Sequence, residues 1–264
     1  MSKYFDLDFA GRSKEAKTVR WHNSDSEKNY VRLGNHYNPE SFDYTFNGQG
    51  FRSDEFNNEP SLVFIGCSNT EGIGLPLEES WAYQVWDGVG RPSPFINLGI
   101  GGAGYDTMSR VLYLLQDQVK PKVAVVLLPG IWRRELVIED KFSMWSPVTP
   151  LDVKKITNQI LFDDEWVRYQ AMKNLVMMDM IFEKYGTTVI WDSWYQHSKN
   201  DIADCLEMDK LKTFQHRVSN SFSKYVYAGK FTARDKIHPG SNENTEYAKD
   251  FLREYGGLIQ DSFN

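Results

Sequence analysis

From Ser61 onward the chain alternates short apolar runs with amphipathic stretches. SLVFIG (61–66) is apolar, β-branched and closed by a glycine, which predicts a buried strand followed by a turn. Leu77 to Trp86 has helical spacing, with Trp81, Val85 and Trp86 as inward positions. FINLG (95–99) predicts a second strand. DTMSRVLYLLQDQV (106–119) predicts a helix with Met108, Val111, Leu112 and Leu115 on one face. VAVVLLPG (123–130) is almost wholly apolar, as a strand covered on both faces should be. A helix from about Trp166 to Lys184 precedes a fourth strand, TTVIWDSW (187–194). The last helix is expected over Asn242 to Glu254, ahead of a terminal tail, and a short helical stretch at 151–163 is a candidate lid.

Strands alternating with helices imply βαβ units. The expected fold is α/β: a three-layer α/β/α sandwich with a mainly parallel, flavodoxin-like central sheet. Residues 1–59 are polar and weakly periodic, with Gly48 and Gly50 marking a turn between short extended pieces. They read as an extension packing on an α/β domain at 60–264. In open parallel sheets, working groups collect at the carboxyl ends of the strands.

Composition narrows the classes. Hydrophobic residues make up 41% and charged residues 25%, so the chain can build a packed core. Asp and Glu total 36 against 30 Lys and Arg, a net charge of −6 that argues against nucleic acid as a partner. Two cysteines, Cys67 and Cys205, exclude a disulfide scaffold and a four-cysteine zinc site. The first residues carry charges throughout, with no apolar core of a signal peptide. No run approaches the roughly 18 apolar residues of a membrane span. A cytoplasmic location is the expectation.

Two strand ends and one segment near the C-terminus carry candidate chemistry. The first strand runs into Gly66-Cys67-Ser68-Asn69-Thr70-Glu71-Gly72, where a serine at a helix start is either a cap or an exposed nucleophile beside free amides. The second runs into Asn97-Leu98-Gly99-Ile100-Gly101-Gly102-Ala103-Gly104. Gly99, Gly101 and Gly104 fit a dinucleotide fingerprint, but the acid expected near the end of the next strand is missing. The competing reading is a turn whose amides approach a substrate oxygen. Near the C-terminus, Asp235 stands three residues before His238, close enough to orient its imidazole and leave the other nitrogen free as a base. His22, His36, His197 and His216 show no comparable partner and read as surface or structural.

These blocks, in this order, resemble those of the SGNH hydrolases, also called the GDSL family, over about residues 44–255. The resemblance implies Ser68 as nucleophile, Asp235 and His238 as its partners, and the amides of Ser68 and Gly102 as oxyanion donors. Asn47-Gly48-Gln49-Gly50-Phe51-Arg52 also looks like a segment that precedes the first block in some members. Two departures stand out. Cys67 replaces the aspartate of the first block; it is a poor nucleophile candidate, because its side chain should point away from that of Ser68. The third-block asparagine is absent from Pro129-Gly130-Ile131-Trp132-Arg133-Arg134. Loss of one oxyanion donor typically costs roughly 2.7–4 kcal/mol. Arg133 or Arg134 is a candidate to replace it or to grip an anionic substrate, against the simpler reading of solvated or ion-paired arginines.

The expected activity is hydrolysis of an ester through an acyl-enzyme, with no metal or organic cofactor. The expected substrate carries a small acyl or O-acetyl group. Trp132, Trp191, Trp194 and Tyr195, near predicted strand ends, tilt the choice towards a carbohydrate carrier, although aromatics mostly serve as core. Asn69, Trp132, Arg133 and Arg134 are candidate substrate-binding residues. The alternatives are a catalytically weak SGNH-fold protein that binds carbohydrate or is structural, and a nucleotide-dependent enzyme using the 99–104 glycines.

Overall fold

The computed structural model describes residues 15–33, 40–138, 141–145, 164–195, 206–228 and 231–264. An antiparallel ribbon of β1 (Lys17–Val19) and β2 (Tyr44–Phe46) comes first, with helix α1 (Glu27–Leu33) between its strands in sequence. Then follow β3 (Ser61–Ile65), α2 (Ser68–Glu71), α3 (Trp81–Gly88), β4 (Ile96–Asn97), α4 (Tyr105–Val119) and β5 (Pro121–Leu128). A hairpin of β6 (Arg134–Ile138) and β7 (Lys141–Trp145) leads towards α5 (Asp164–Tyr185). The chain ends with β8 (Thr188–Ser193), β9 (His216–Arg217), α6 (Phe222–Ala228) and α7 (Ser241–Phe263).

The central sheet has five strands in the order β4-β3-β5-β8-β9, and every neighbouring pair is parallel. Successive strand residues point to opposite faces, so each strand feeds two cores. Val63 and Ile65 of β3, with Ala124 and Val126 of β5, pack against α4 and α5. Leu62 and Phe64, with Val123 and Val125, face α3, α6 and α7. Both faces of β3 and β5 are therefore dry, which explains their unbroken apolar runs. The result is the expected α/β/α sandwich.

Several elements differ from expectation. The segment 77–86 is split: a 3-10 turn at Leu77–Glu79 gives way to α3, which starts after Ser80, whose hydroxyl accepts the Tyr83 amide. Ser80 interrupts the periodicity because it caps a helix. The second strand shrinks to two residues, because Gly99 and the residues after it enter a turn. The last helix runs to Phe263 rather than stopping near Glu254. Gly256 and Gly257 lower helix propensity there, yet Ile259 is buried in the α3–α7 core and holds the extra turns. Strand β9 and the β6–β7 hairpin were not anticipated. The helical stretch expected at 151–163 lies outside the described residues, as do Cys205, His36 and His197.

Polar residues before Ser61 are tied to the sandwich by buried charges. Asp25 and Arg234 are both fully buried. Arg234 donates to Asp25 through Nε (2.9 and 3.1 Å) and Nη2 (2.7 Å), and the Tyr44 hydroxyl adds a bond to Asp25 at 2.6 Å. The guanidinium also donates to the carbonyls of Phe42 and Arg20 and lies 3.8 Å from the Phe42 ring centre. Arg52, also buried, donates to the carbonyls of Gly72 and Leu75 at 2.6 and 2.8 Å and supports the loop after α2.

Removing one partner of a buried ion pair leaves the other charge uncompensated. Asp25→Ala is therefore expected to cost about 3–5 kcal/mol. Calorimetry should show a melting temperature lower by on the order of 10 °C. A loss under about 1 kcal/mol, the range of exposed pairs, would contradict the buried-pair account.

Candidate active site

The carboxyl ends of β3 and β4 and the loop before α7 meet at one edge of the sheet. After β3, Cys67 occupies the cap position of α2 without a side-chain cap bond, and its carbonyl accepts the amides of Thr70 and Glu71. Ser68 is thus the first helical residue, not the cap. Its hydroxyl lies 2.7 Å from His238 Nε2. Its amide has no acceptor among the described residues.

His238 is set by a local turn. Asp235 Oδ1 accepts the amides of Ile237 (3.0 Å) and His238 (3.1 Å), folding the carboxylate back over its own loop. Oδ2 then meets His238 Nδ1 at 2.6 Å. Burial pushes the Asp235 carboxyl up. The bond and charge of His238, the Ile237 amide and the Ser24 hydroxyl outweigh it and hold the group below its ordinary value. An ionised carboxylate can only accept, so Nδ1 carries the proton and Nε2 is left to accept from Ser68. Pro239 and Gly240 then start α7, where Glu243 accepts the Gly240 amide. Asn244 accepts the Trp81 amide at 3.1 Å and donates to the Gly240 carbonyl, joining the starts of α3 and α7 behind the histidine.

The glycine-rich turn after β4 is held mostly by its own neighbours. Gly99 donates to Asn97 Oδ1 (2.9 Å), Ile100 to the Gly66 carbonyl (3.2 Å), and Gly101 to Glu71 Oε2 (2.6 Å). Gly102 has φ of 83° and an amide with no acceptor among the described residues. The amides of Gly99, Ile100 and Gly101 are thus already engaged within the protein, leaving fewer donors for a phosphate. The turn is bound to the Ser68 loop by Asn97 Nδ2, which donates to the Thr70 carbonyl at 2.8 Å.

The remaining candidates divide. Arg134 turns inward: its Nη atoms donate to the carbonyls of Ile131, Arg133 and Val167, so it fastens the turn after β5 to α5, while its buried Nε has no partner among the described residues. Arg133 lies 4.8 Å over the Trp194 ring, and its Nη1 is buried without an acceptor among the described residues. Trp132 meets Tyr195 edge-on at 4.0 Å. Asn69 Oδ1 is buried and has no partner among the described residues, while its carbonyl accepts Trp81 Nε1. Trp191 is core: it is buried and donates to the Phe214 carbonyl. The Cys67 thiol is buried in the α4 side of the core, yet lies 3.9 Å from Ser68 Oγ, so the two side chains are not turned fully apart.

Sequence reasoning missed four polar groups. His22, read as lacking a partner, has one: its Nε2 lies 3.0 Å from the buried Glu71. Glu71 was visible as a carboxylate in a turn of small residues. Ser24 donates to Asp235 Oδ2 at 2.7 Å. Asp192, at the end of β8, accepts from the Phe222 and Ser193 amides and the Tyr247 hydroxyl, and burial pushes its carboxyl up to about 6. It ties α6 and α7 to the sheet. Among the described residues, no group of three or more His, Cys, Asp or Glu side chains gathers as a metal site, and no helix is long and apolar enough to cross a membrane.

No family model matches this sequence, and no curated protein matches it. Solved structures do match in shape. The crystal structure of TesA has a TM-score of 0.50 and 17% identity, covering 75% of this chain and 98% of that one. A carbohydrate acetylesterase family member from Sinorhizobium meliloti has a TM-score of 0.45 and 13% identity, covering 78% and 99%. A structure from Parabacteroides merdae described as a GDSL-like lipase has a TM-score of 0.42 and 13% identity, covering 76% and 99%. At such identities the likeness speaks for the fold alone, and the TesA structure agrees with the parallel-sheet α/β/α architecture described above.

The two carboxylates should titrate in opposite directions from the ordinary value of about 3.9. Asp192 binds its proton more tightly folded than unfolded, so its contribution is fully present below about pH 4 and is lost as pH rises through about 6. Asp235 stabilises the fold above its ordinary value, and that contribution is lost as pH falls through its lowered one. Carboxyl carbon resonances followed by NMR should give Asp192 a midpoint near 6, with Asp235 ionised throughout the same range. Coincident midpoints would refute the assignment.

Proposed function

We propose that this chain is a serine hydrolase that cleaves esters through an acyl-enzyme. The observation that carries the reading is the unbroken relay of Ser68 Oγ, His238 Nε2, His238 Nδ1 and Asp235 Oδ2, with links of 2.7 and 2.6 Å. His238 takes the Ser68 proton as Oγ attacks the ester carbonyl. Asp235 holds the imidazole in the required tautomer and offsets the charge it gains. The amides of Ser68 and Gly102 stabilise the tetrahedral oxyanion. His238 then returns its proton to the departing alcohol. A water, deprotonated by the same nitrogen, attacks the acyl carbon and releases Ser68.

The substrate of choice is a small acyl or O-acetyl ester. Trp132 and Tyr195, paired beyond the ends of β5 and β8, suit an O-acetylated carbohydrate, since aromatic faces stack on sugar rings. Arg133 holds an anionic part of the substrate: its buried Nη1 has no hydrogen-bond partner among the described residues. The missing third-block asparagine favours a second reading, a binding protein that keeps the fold without turnover. That reading calls for a spoiled Ser68–His238 geometry, and a link of 2.7 Å speaks against it.

Wild type should hydrolyse p-nitrophenyl acetate, and Ser68→Ala should lose roughly 10⁴-fold or more in kcat. A serine-reactive phosphonate should label only the wild type. Equal rates, or an unlabelled Ser68, would sink the reading. Arg133→Ala is expected to raise KM for an ester carrying a carboxylate by about tenfold or more, the size of a charge-assisted hydrogen bond. Paired assays should show a much smaller change for a neutral acetate ester.

A further inference from the structure

Residues 22–25 form a tight turn closed by reciprocal backbone bonds, from the His22 amide to the Asp25 carbonyl (2.8 Å) and from the Asp25 amide to the His22 carbonyl (3.1 Å). Asn23 sits in the left-handed region at φ 56°, which asparagine tolerates better than most residues. The turn is fastened by Asp25 on Arg234, the residue next to Asp235. From it, Ser24 Oγ donates to Asp235 Oδ2 at 2.7 Å, the same oxygen that meets His238 Nδ1. Its neighbours reach the other side of the site. His22 holds one oxygen of Glu71, whose second oxygen accepts the Gly101 amide. Asn23 lies so close over Gly101 that a Cβ there would come within 2.0 Å of its amide nitrogen.

We propose that the 22–25 turn is part of the working site, with Ser24 a positioning residue for Asp235. The proposal rests on the serine-hydrolase reading. A buried carboxylate is held in one orientation only when its lone pairs are filled. Two backbone amides fix Oδ1, and Ser24 is the side chain that fixes Oδ2 besides the histidine. The Ser24 bond also draws negative charge from Oδ2. Without it that oxygen holds the imidazolium more strongly, but in a looser orientation. Among the described residues, the titratable groups tied to the same loops are Arg234, taken up by Asp25, and His22 on Glu71 across the 22–25 turn. Lys236 flanks Asp235 in the chain. None of these is altered by changing Ser24.

The test compares full-length wild type, Ser24→Ala and Ser24→Thr on p-nitrophenyl acetate across pH, beside an NMR titration of the His238 ring in the resting protein. Ser24→Ala should lower kcat about two- to tenfold, the size of one net hydrogen bond, with KM unchanged. The acid limb of its kcat/KM profile should move to higher pH by a few tenths of a unit, and Ser24→Thr should restore both. A wild-type kcat and profile in Ser24→Ala would overturn the proposal, and so would a lowered melting temperature with no change in either. If wild type and Ser68→Ala are equally inactive, the hydrolase reading fails by itself. The His238 ring titration then decides: a midpoint raised in Ser24→Ala supports the positioning contact, and an unmoved one overturns it.

Discussion

The Asp235 carboxylate is buried, and four donors converge on it: the Ile237 and His238 amides, the His238 ring and the Ser24 hydroxyl. A carboxylate stripped of water would otherwise neutralise itself, so each donor offsets part of the cost of keeping it charged. The turn over 235–238, the α7 start behind it and the 22–25 turn across from it all bear on this one group. Its charge sets the histidine tautomer, and the tautomer decides whether Ser68 meets an acceptor.

The sheet supplies the second constraint. Ser68 and Gly102 arrive from adjacent parallel strands, β3 and β4, whose carboxyl ends open on the same edge. His238 comes from 170 residues further along and lands there because α7 packs against α3, with Asn244 binding the Trp81 amide. Core packing on one face therefore transmits directly to the Ser68–His238 distance.

The early polar segment has an unusual share in this arrangement. Asp25 and Arg234 lock it to the loop that carries Asp235, and Arg52 supports the loop after Ser68. Its weak periodicity follows from that role. It buries few apolar side chains in regular order and is held instead by charged and aromatic groups, among them Tyr44, whose hydroxyl serves both Asp25 and the Gly74 amide.

The strands read at 61–66 and 123–130 and the helix read at 106–119 correspond to Ser61–Ile65, Pro121–Leu128 and Tyr105–Val119, and were legible because periodicity is a local property, set by which faces must be dry. Ser68, Asp235 and His238 could be singled out because each sits in a short block of recognisable spacing, and the fold brings the three within hydrogen-bond distance, whereas Gly102 was named from the family resemblance alone. Short contacts between distant residues leave no such trace. His22 finds Glu71, and Ser24 finds Asp235 across 211 positions, only once the chain has folded. Direction was equally hidden: Arg133 and Arg134 are adjacent in sequence, yet one faces Trp194 and the other turns into the backbone carbonyls below. Residue type and local spacing determined which elements form and which blocks could react. Long-range packing decided which of those groups meet, because only the folded chain assigns each side chain a partner and a side of the sheet.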